Sequence, residues 1–137
     1  YKRQQLIENG ILKNYLVDTY NGKKLNLKSN GRSGGTTNLY FEKGNISYKD
    51  LMKKNSRSLY ITETIGHGSN LVTGDYSVGA TGFLVEDGEF KYPVNEITIA
   101  GNFKDMFKNI TLANDLEFEY SVNSPTMMIE GMTVAGK

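Results

Sequence analysis

The single histidine of the chain, His67, stands in Gly66-His67-Gly68-Ser69-Asn70. A loop histidine between two glycines has the freedom to bind a ligand or to act as a general base near neutral pH. The plain alternative is an exposed turn residue. Ser69, Thr73 and Asp75 follow closely, and Ser, His and Asp in one segment bring nucleophilic catalysis to mind. A triad is a matter of geometry rather than spacing, and the chain has no G-x-S-x-G elbow. One His and no Cys leave neither a thiolate zinc site nor a multi-histidine one. A site made of carboxylates alone would favour Ca²⁺ or Mg²⁺, but no EF-hand spacing is present. The run Asn30-Gly31-Arg32-Ser33-Gly34-Gly35 has the look of an anion cradle. It precedes no clear helix and lacks the Gly-Lys-Ser/Thr ending, so it reads as a plain flexible loop. Glu86, Asp87, Glu89 and Glu96 read as turn or solvent-face residues. The residues alone therefore assemble no complete catalytic or metal site. Residues 66–76 nonetheless carry Gly66, Gly68 and Gly74 among small polar side chains. Such a segment buries little apolar area, so core packing does not explain it, and a functional surface loop is expected.

The elements that would hold this loop are mostly strands. Asn9-Gly10 lies between Leu6-Ile7-Glu8 and Ile11-Leu12-Lys13, and Asn-Gly between apolar runs predicts a type I′ hairpin. Asp87-Gly88 repeats the signal between Leu84-Val85-Glu86 and Glu89-Phe90-Lys91. The two segments match position by position, either because two hairpins share one turn solution or because half a domain was duplicated. Residues 18–36 read as a loop with a helical turn at Lys23-Lys24-Leu25. Strands are expected at 38–42, 59–65, 76–85, 90–92, 96–100 and 126–134. Gly79 and Gly82 are expected at bulges or close approaches. Ser47 with Asp50 predicts one short helix ending near Asn55, and Asn102 with Asp105 a second over 103–109. The fold class is mainly β (α+β), with antiparallel sheets and hairpins and two or three short helices.

The chain has 137 residues, is 38% hydrophobic and 23% charged, and carries a net charge of +1. That suits one domain, 1–137, with a core of its own. The near-neutral balance argues against direct nucleic-acid contact, which needs clustered Lys and Arg. No apolar run reaches the length of a membrane span. The chain opens on Tyr1 in strand-like sequence, as a fragment of a longer protein would.

Several stretches resemble the carboxyl-terminal domain of the TldD/PmbA family, historically called modulators of DNA gyrase. They are Leu6-Ile7-Glu8-Asn9-Gly10-Ile11-Leu12-Lys13-Asn14-Tyr15-Leu16, then Val72-Thr73-Gly74-Asp75-Tyr76-Ser77-Val78-Gly79-Ala80-Thr81-Gly82-Phe83, then Tyr92-Pro93-Val94-Asn95-Glu96 onward, and the terminal Ile129-Glu130-Gly131-Met132. The resemblance implies cytoplasmic zinc peptidases that mature or degrade peptides, with a catalytic HExxxH helix in an amino-terminal part. It also implies, for the TldD branch, a zinc-ligating Cys between Asn114-Asp115-Leu116 and Pro125. This chain reads Glu117-Phe118-Glu119-Tyr120-Ser121-Val122-Asn123-Ser124 there, without Cys. The departure favours the PmbA (TldE) branch, whose members pair with a catalytic TldD subunit.

The expectation is a carboxyl-terminal domain that serves subunit assembly and peptide binding, with no catalytic residue and no metal or cofactor in this chain. Zinc would sit in a catalytic partner. His67, Asn70, Thr73 and Asp75 are the candidate substrate-binding residues. The expected partners are a TldD-like subunit or a second copy, and unfolded peptide, in the cytoplasm and away from membranes. Leu39-Tyr40-Phe41 and Met127-Met128-Ile129 are expected near a contact, or else in the core. The rival function is a regulator of DNA gyrase acting through protein contacts.

Overall fold

Both Asx-Gly pairs turn the chain in the same way. Asn9 and Gly10 have φ of +49° and +75°, and Asp87 and Gly88 have +53° and +82°. Two consecutive positive φ values are what a type I′ turn requires, and Asn, Asp and Gly bear them at least cost. The computed structural model describes residues 3–32 and 34–136. Its elements run β1 (Ile7–Glu8), β2 (Ile11–Leu12), α1 (Thr19–Lys24), β3 (Leu39–Tyr40), α2 (Tyr48–Met52), β4 (Arg57–Ile65) and β5 (Asp75–Glu86). They continue with β6 (Glu89–Asn102), α3 (Phe103–Met106), β7 (Ile110–Leu112), β8 (Val122–Asn123), β9 (Met127–Ile129) and β10 (Thr133–Ala135). This is the mainly β, largely antiparallel architecture with three short helices that the sequence predicts. The chain divides into two units, Tyr1–Tyr40 with Glu119–Asn123, and Phe41–Phe118 with Ser124–Lys137.

Unit 2 is built on a four-stranded antiparallel sheet in the order β10-β6-β5-β4. Alternation along β5 turns Val78 and Ala80 to one face, where Ile97 and Ile99 of β6 meet them. Leu59, Ile61, Tyr76, Val94 and Met132 pack around these four. Gly82 sits where a Cβ would be driven into the Tyr60 carbonyl oxygen, at register shifts between Ala80 and Gly82 and between Ile61 and Glu63. The expected close approach is therefore real, and its cause is backbone against backbone. β6 is one strand, where the sequence suggested two pieces around Pro93. β10 pairs with Thr98, Ile99 and Ala100 and leaves one side of β6 unpaired near Pro93, so the missing N–H is tolerated. Ser47 caps α2 as expected. Its hydroxyl oxygen accepts from the Asp50 amide at 3.2 Å, and the hydroxyl donates to the Asp50 carboxylate at 2.6 Å. The 126–134 region splits into β9, which pairs with β7, and β10, which joins the main sheet. Met127, Met128 and Ile129 are half-buried.

Unit 1 is held differently. The β1–β2 hairpin is short, and α1 begins at Thr19 because the Asp18 carboxylate accepts from the Asn21 amide at 2.6 Å. This helix is longer than the single turn read from Lys23-Lys24-Leu25. The Asn30 side chain donates to the Tyr15 carbonyl and accepts from the Val17 amide at 3.3 Å, and the Ser29 hydroxyl donates to the Val17 carbonyl at 3.2 Å. Ser33, within the suggested anion loop, and Tyr1, on which the chain opens, lie outside the described residues. β3 pairs with β8 in parallel, the exception to the expected antiparallel pattern. The buried Asn123 closes the turn that leads into β8. Its Oδ1 accepts from the Glu119 and Tyr120 amides at 2.9 and 3.0 Å, and its Nδ2 donates to the Tyr120 carbonyl at 2.6 Å.

Candidate functional site

β4 ends at Ile65 and β5 begins at Asp75, so residues 66–74 are the connection between two paired strands. The connection is a braced turn. Gly68 passes so close to the Ser77 carbonyl that a Cβ would collide with it, and the Ser77 amide donates to the Gly68 carbonyl at 2.8 Å. Asn70 then folds the chain over itself. Its Oδ1 accepts from the Val72 amide at 2.9 Å and the Thr73 amide at 3.2 Å, the local pattern that Asn favours in turns. The Asn70 amide donates to the Asp75 carbonyl, and the Gly74 amide to the Asn70 carbonyl, both at 2.8 Å. Gly74 has a φ of +85°, which only glycine adopts cheaply.

Asp75 is the centre of the polar network. Its Oδ2 accepts from the Thr73 hydroxyl at 2.7 Å, and its Oδ1 from the Asn102 side-chain amide at 3.0 Å. The same Asn102 group donates to the Thr73 carbonyl at 3.2 Å, while Asn102 Oδ1 caps α3 by accepting from the Lys104 amide at 3.1 Å. The Phe103 amide donates to the Gly74 carbonyl at 2.8 Å. The Thr73 hydroxyl first, and the Asn102 amide second, hold the Asp75 carboxyl below the usual carboxylate range.

Asn70, Thr73 and Asp75 are thus brought together, and their side chains are spent on the loop itself. Asp75 orients no histidine: Thr73 and Asn102 engage its oxygens, while His67 is exposed and takes no part in the network. The Ser-His-Asp arrangement is not assembled. Zinc does not fit this donor set either. Among the described residues no three His, Cys, Asp or Glu side chains cluster, and the Asp75 oxygens already hold two donors. Two features escaped the sequence reading. Asn102 is the clasp that ties the loop to α3, and the signal for it was its expected helix cap. The tip exposes Leu71 and Val72 almost completely, at 88% and 96% of their surface, and no polar pattern announces that.

The profile of the PmbA/TldA metallopeptidase C-terminal domain matches residues 1–136. The chain is 42% identical over 137 residues to the Metalloprotease PmbA of Escherichia coli O157:H7, covering 99% of this chain and 30% of that protein. A crystal structure of a proposed DNA gyrase modulator from Thermotoga maritima aligns with a TM-score of 0.84 and 35% identity, over 95% of this chain and 32% of that one. The structure of TldE from Thermococcus kodakarensis aligns with a TM-score of 0.75 and 29% identity, over 96% of this chain and 33% of that one. The chain therefore spans about a third of the length of the relatives it matches. No described helix is long and apolar enough to cross a membrane.

Proposed function

Because the chain belongs to the PmbA/TldA metallopeptidase family, as its C-terminal domain, we propose that it holds peptide and supports subunit assembly while chemistry proceeds elsewhere. The observation that carries this reading is the junction of β4 with the braced loop. β4 is an edge strand, nine residues long and paired with β5 on one side. An extended peptide can add to such an edge through main-chain hydrogen bonds, with little sequence preference. A peptide lying along β4 would run on to the loop that begins at Gly66. There His67, Leu71 and Val72 offer contacts, while Asn70, Thr73 and Asp75 fix the loop's form. In this reading the last three act on peptide through the loop they hold. Among the described residues no three His, Cys, Asp or Glu side chains cluster to hold a metal, and in this reading zinc sits in a catalytic subunit of TldD type, in the cytoplasm.

Amide hydrogen exchange on the full-length protein, with and without an unstructured peptide, tests the reading. Protection is expected in 57–65 and 66–75. Peptide binding that leaves both segments exchanging at their free rates would remove the basis for it. The gyrase alternative draws support from the descriptions of solved relatives such as the Thermotoga protein.

A further inference from the structure

We infer that Asn9 is a spontaneous modification site, where ring closure onto the Gly10 amide releases ammonia and leaves aspartate or isoaspartate in the β1–β2 turn.

The chain holds three Asn-Gly pairs, at 9–10, 21–22 and 30–31, and one Asp-Gly pair, at 87–88. In each the side-chain carbonyl carbon stands next to an amide that no Cβ hinders. The sequence does not rank the four, and the structure does. The Gly22 amide donates to the Asp18 carbonyl at 2.9 Å inside α1, and Gly22 is buried. The Gly31 amide donates to the Ser29 hydroxyl oxygen at 3.3 Å. Asn30 itself is tied at both ends of its side chain, to Tyr15 and Val17, and its carbonyl accepts from Gln4 Nε2 at 3.0 Å. The Asp87-Gly88 turn is pinned by the Asp87 amide, which donates to the Ser56 carbonyl at 3.0 Å, and by the Lys53 stem packed over Gly88. It also joins the two long strands of the main sheet.

Asn9 and Gly10 have none of these holds. Both are exposed, and among the described residues neither the Asn9 side chain nor the Gly10 amide has a hydrogen-bond partner. Space around Gly10 is open. The turn must open for the attack, and its strands are two residues each, with Ile7, Ile11 and Leu12 half or more exposed. So short a two-stranded hairpin opens at little cost.

The Gly10 nitrogen, its proton removed by solvent base, bonds to Asn9 Cγ. The Cγ–Nδ2 bond breaks, and Nδ2 leaves as ammonia with that proton returned to it. One water then opens the five-membered imide at either carbonyl, giving OH to the carbon and H to the nitrogen. Opening at the former main-chain carbonyl routes the chain through Cγ. The added methylene spoils a turn that two positive φ values define, and the product carries a new negative charge.

The test is peptide mapping by mass spectrometry of the full-length protein during incubation at mildly alkaline pH, with aspartyl and isoaspartyl peptides separated. Asn9 should react about tenfold faster than Asn21 or Asn30, as about 1.4 kcal/mol of extra hold on each of those would give. Its rate should rise with pH, and the modified fraction should show faster amide exchange over 7–12. In urea the three Asn-Gly pairs should converge on one rate. Asn9→Gly, which keeps a pair able to bear both positive φ values, should leave the hairpin and remove the modification. An unreacted Asn9, or Asn21 or Asn30 reacting as fast in the folded protein, overturns the assignment. Isoaspartate at 87 appearing as fast as at 9 overturns the role given to hairpin opening. So does an Asn9 that stays ahead in urea.

Discussion

In unit 2 the backbone finds its partners across strand ladders, and apolar side chains close over one face of the sheet. In unit 1 two-residue strands leave most of that work to side chains, above all Asn30 and Asn123, and among the described residues one large aliphatic residue, Val17, is buried. The difference shows two ways of fixing a chain. A ladder with a core is stable by itself, because burial grows with each added strand. A clasp made of side-chain amides defines a conformation but contributes on the order of 1 kcal/mol per bond.

Substitutions can break or sharpen that contrast. Ile97→Ala removes a buried side chain from the centre of the unit 2 core, and should cost about 2–5 kcal/mol in urea unfolding. A loss below 1 kcal/mol would mean that the sheet face is not the principal source of stability. Asn30→Ala should cost about 1–3 kcal/mol by leaving the Tyr15 carbonyl and the Val17 amide without their partner. The loss should appear as faster amide exchange confined to unit 1, with the exchange of β5 and β6 unchanged.

Asn102→Ala should cost about 0.5–2 kcal/mol, the usual range for a lost helix cap, and should speed exchange in 70–75. The smallest effect is expected from acid. The native carboxyl of Asp75 is held below its ordinary range, so its stabilisation is complete above that range. It is lost as pH falls through the lowered native value. Nuclear magnetic resonance titration of the Thr73 and Asp75 signals should follow that loss, and Asp75→Asn should abolish the pH dependence.

The parts of this structure that were legible in the sequence are those decided within four or five residues. Asn9-Gly10 and Asp87-Gly88 demand positive φ, and Ser47 and Asn102 satisfy the free amides of the helix behind them. What depends on distant partners was not legible. The parallel β3–β8 pairing is set by residues far apart in sequence. The continuity of β6 through Pro93 depends on where β10 stops. The same holds at the candidate site. Asn70, Thr73 and Asp75 were singled out by type, but their roles follow from Asn102, 27 residues beyond Asp75. A polar side chain looks the same in sequence whether it reaches out to a ligand or back to its own loop. Leu71 and Val72 lie in a polar segment, and their exposure follows from the turn that Asn70 closes beneath them.

The two-residue turn at Asp87-Gly88 bears on the order of events in folding. It joins strands of 12 and 14 residues, so each pair beyond the turn closes a loop that its predecessor has already shortened. β4 adds through a connection of nine residues that is braced by its own hydrogen bonds. β10, by contrast, meets β6 only after a detour through α3, β7, β8 and β9. The β4–β5–β6 meander should therefore form the folding nucleus, with β10 docking after the rate-limiting step. Substitutions at Val78 or Ile61 should slow folding, whereas Val134→Ala should mainly speed unfolding. Chevron kinetics with the opposite partition would place the nucleus elsewhere.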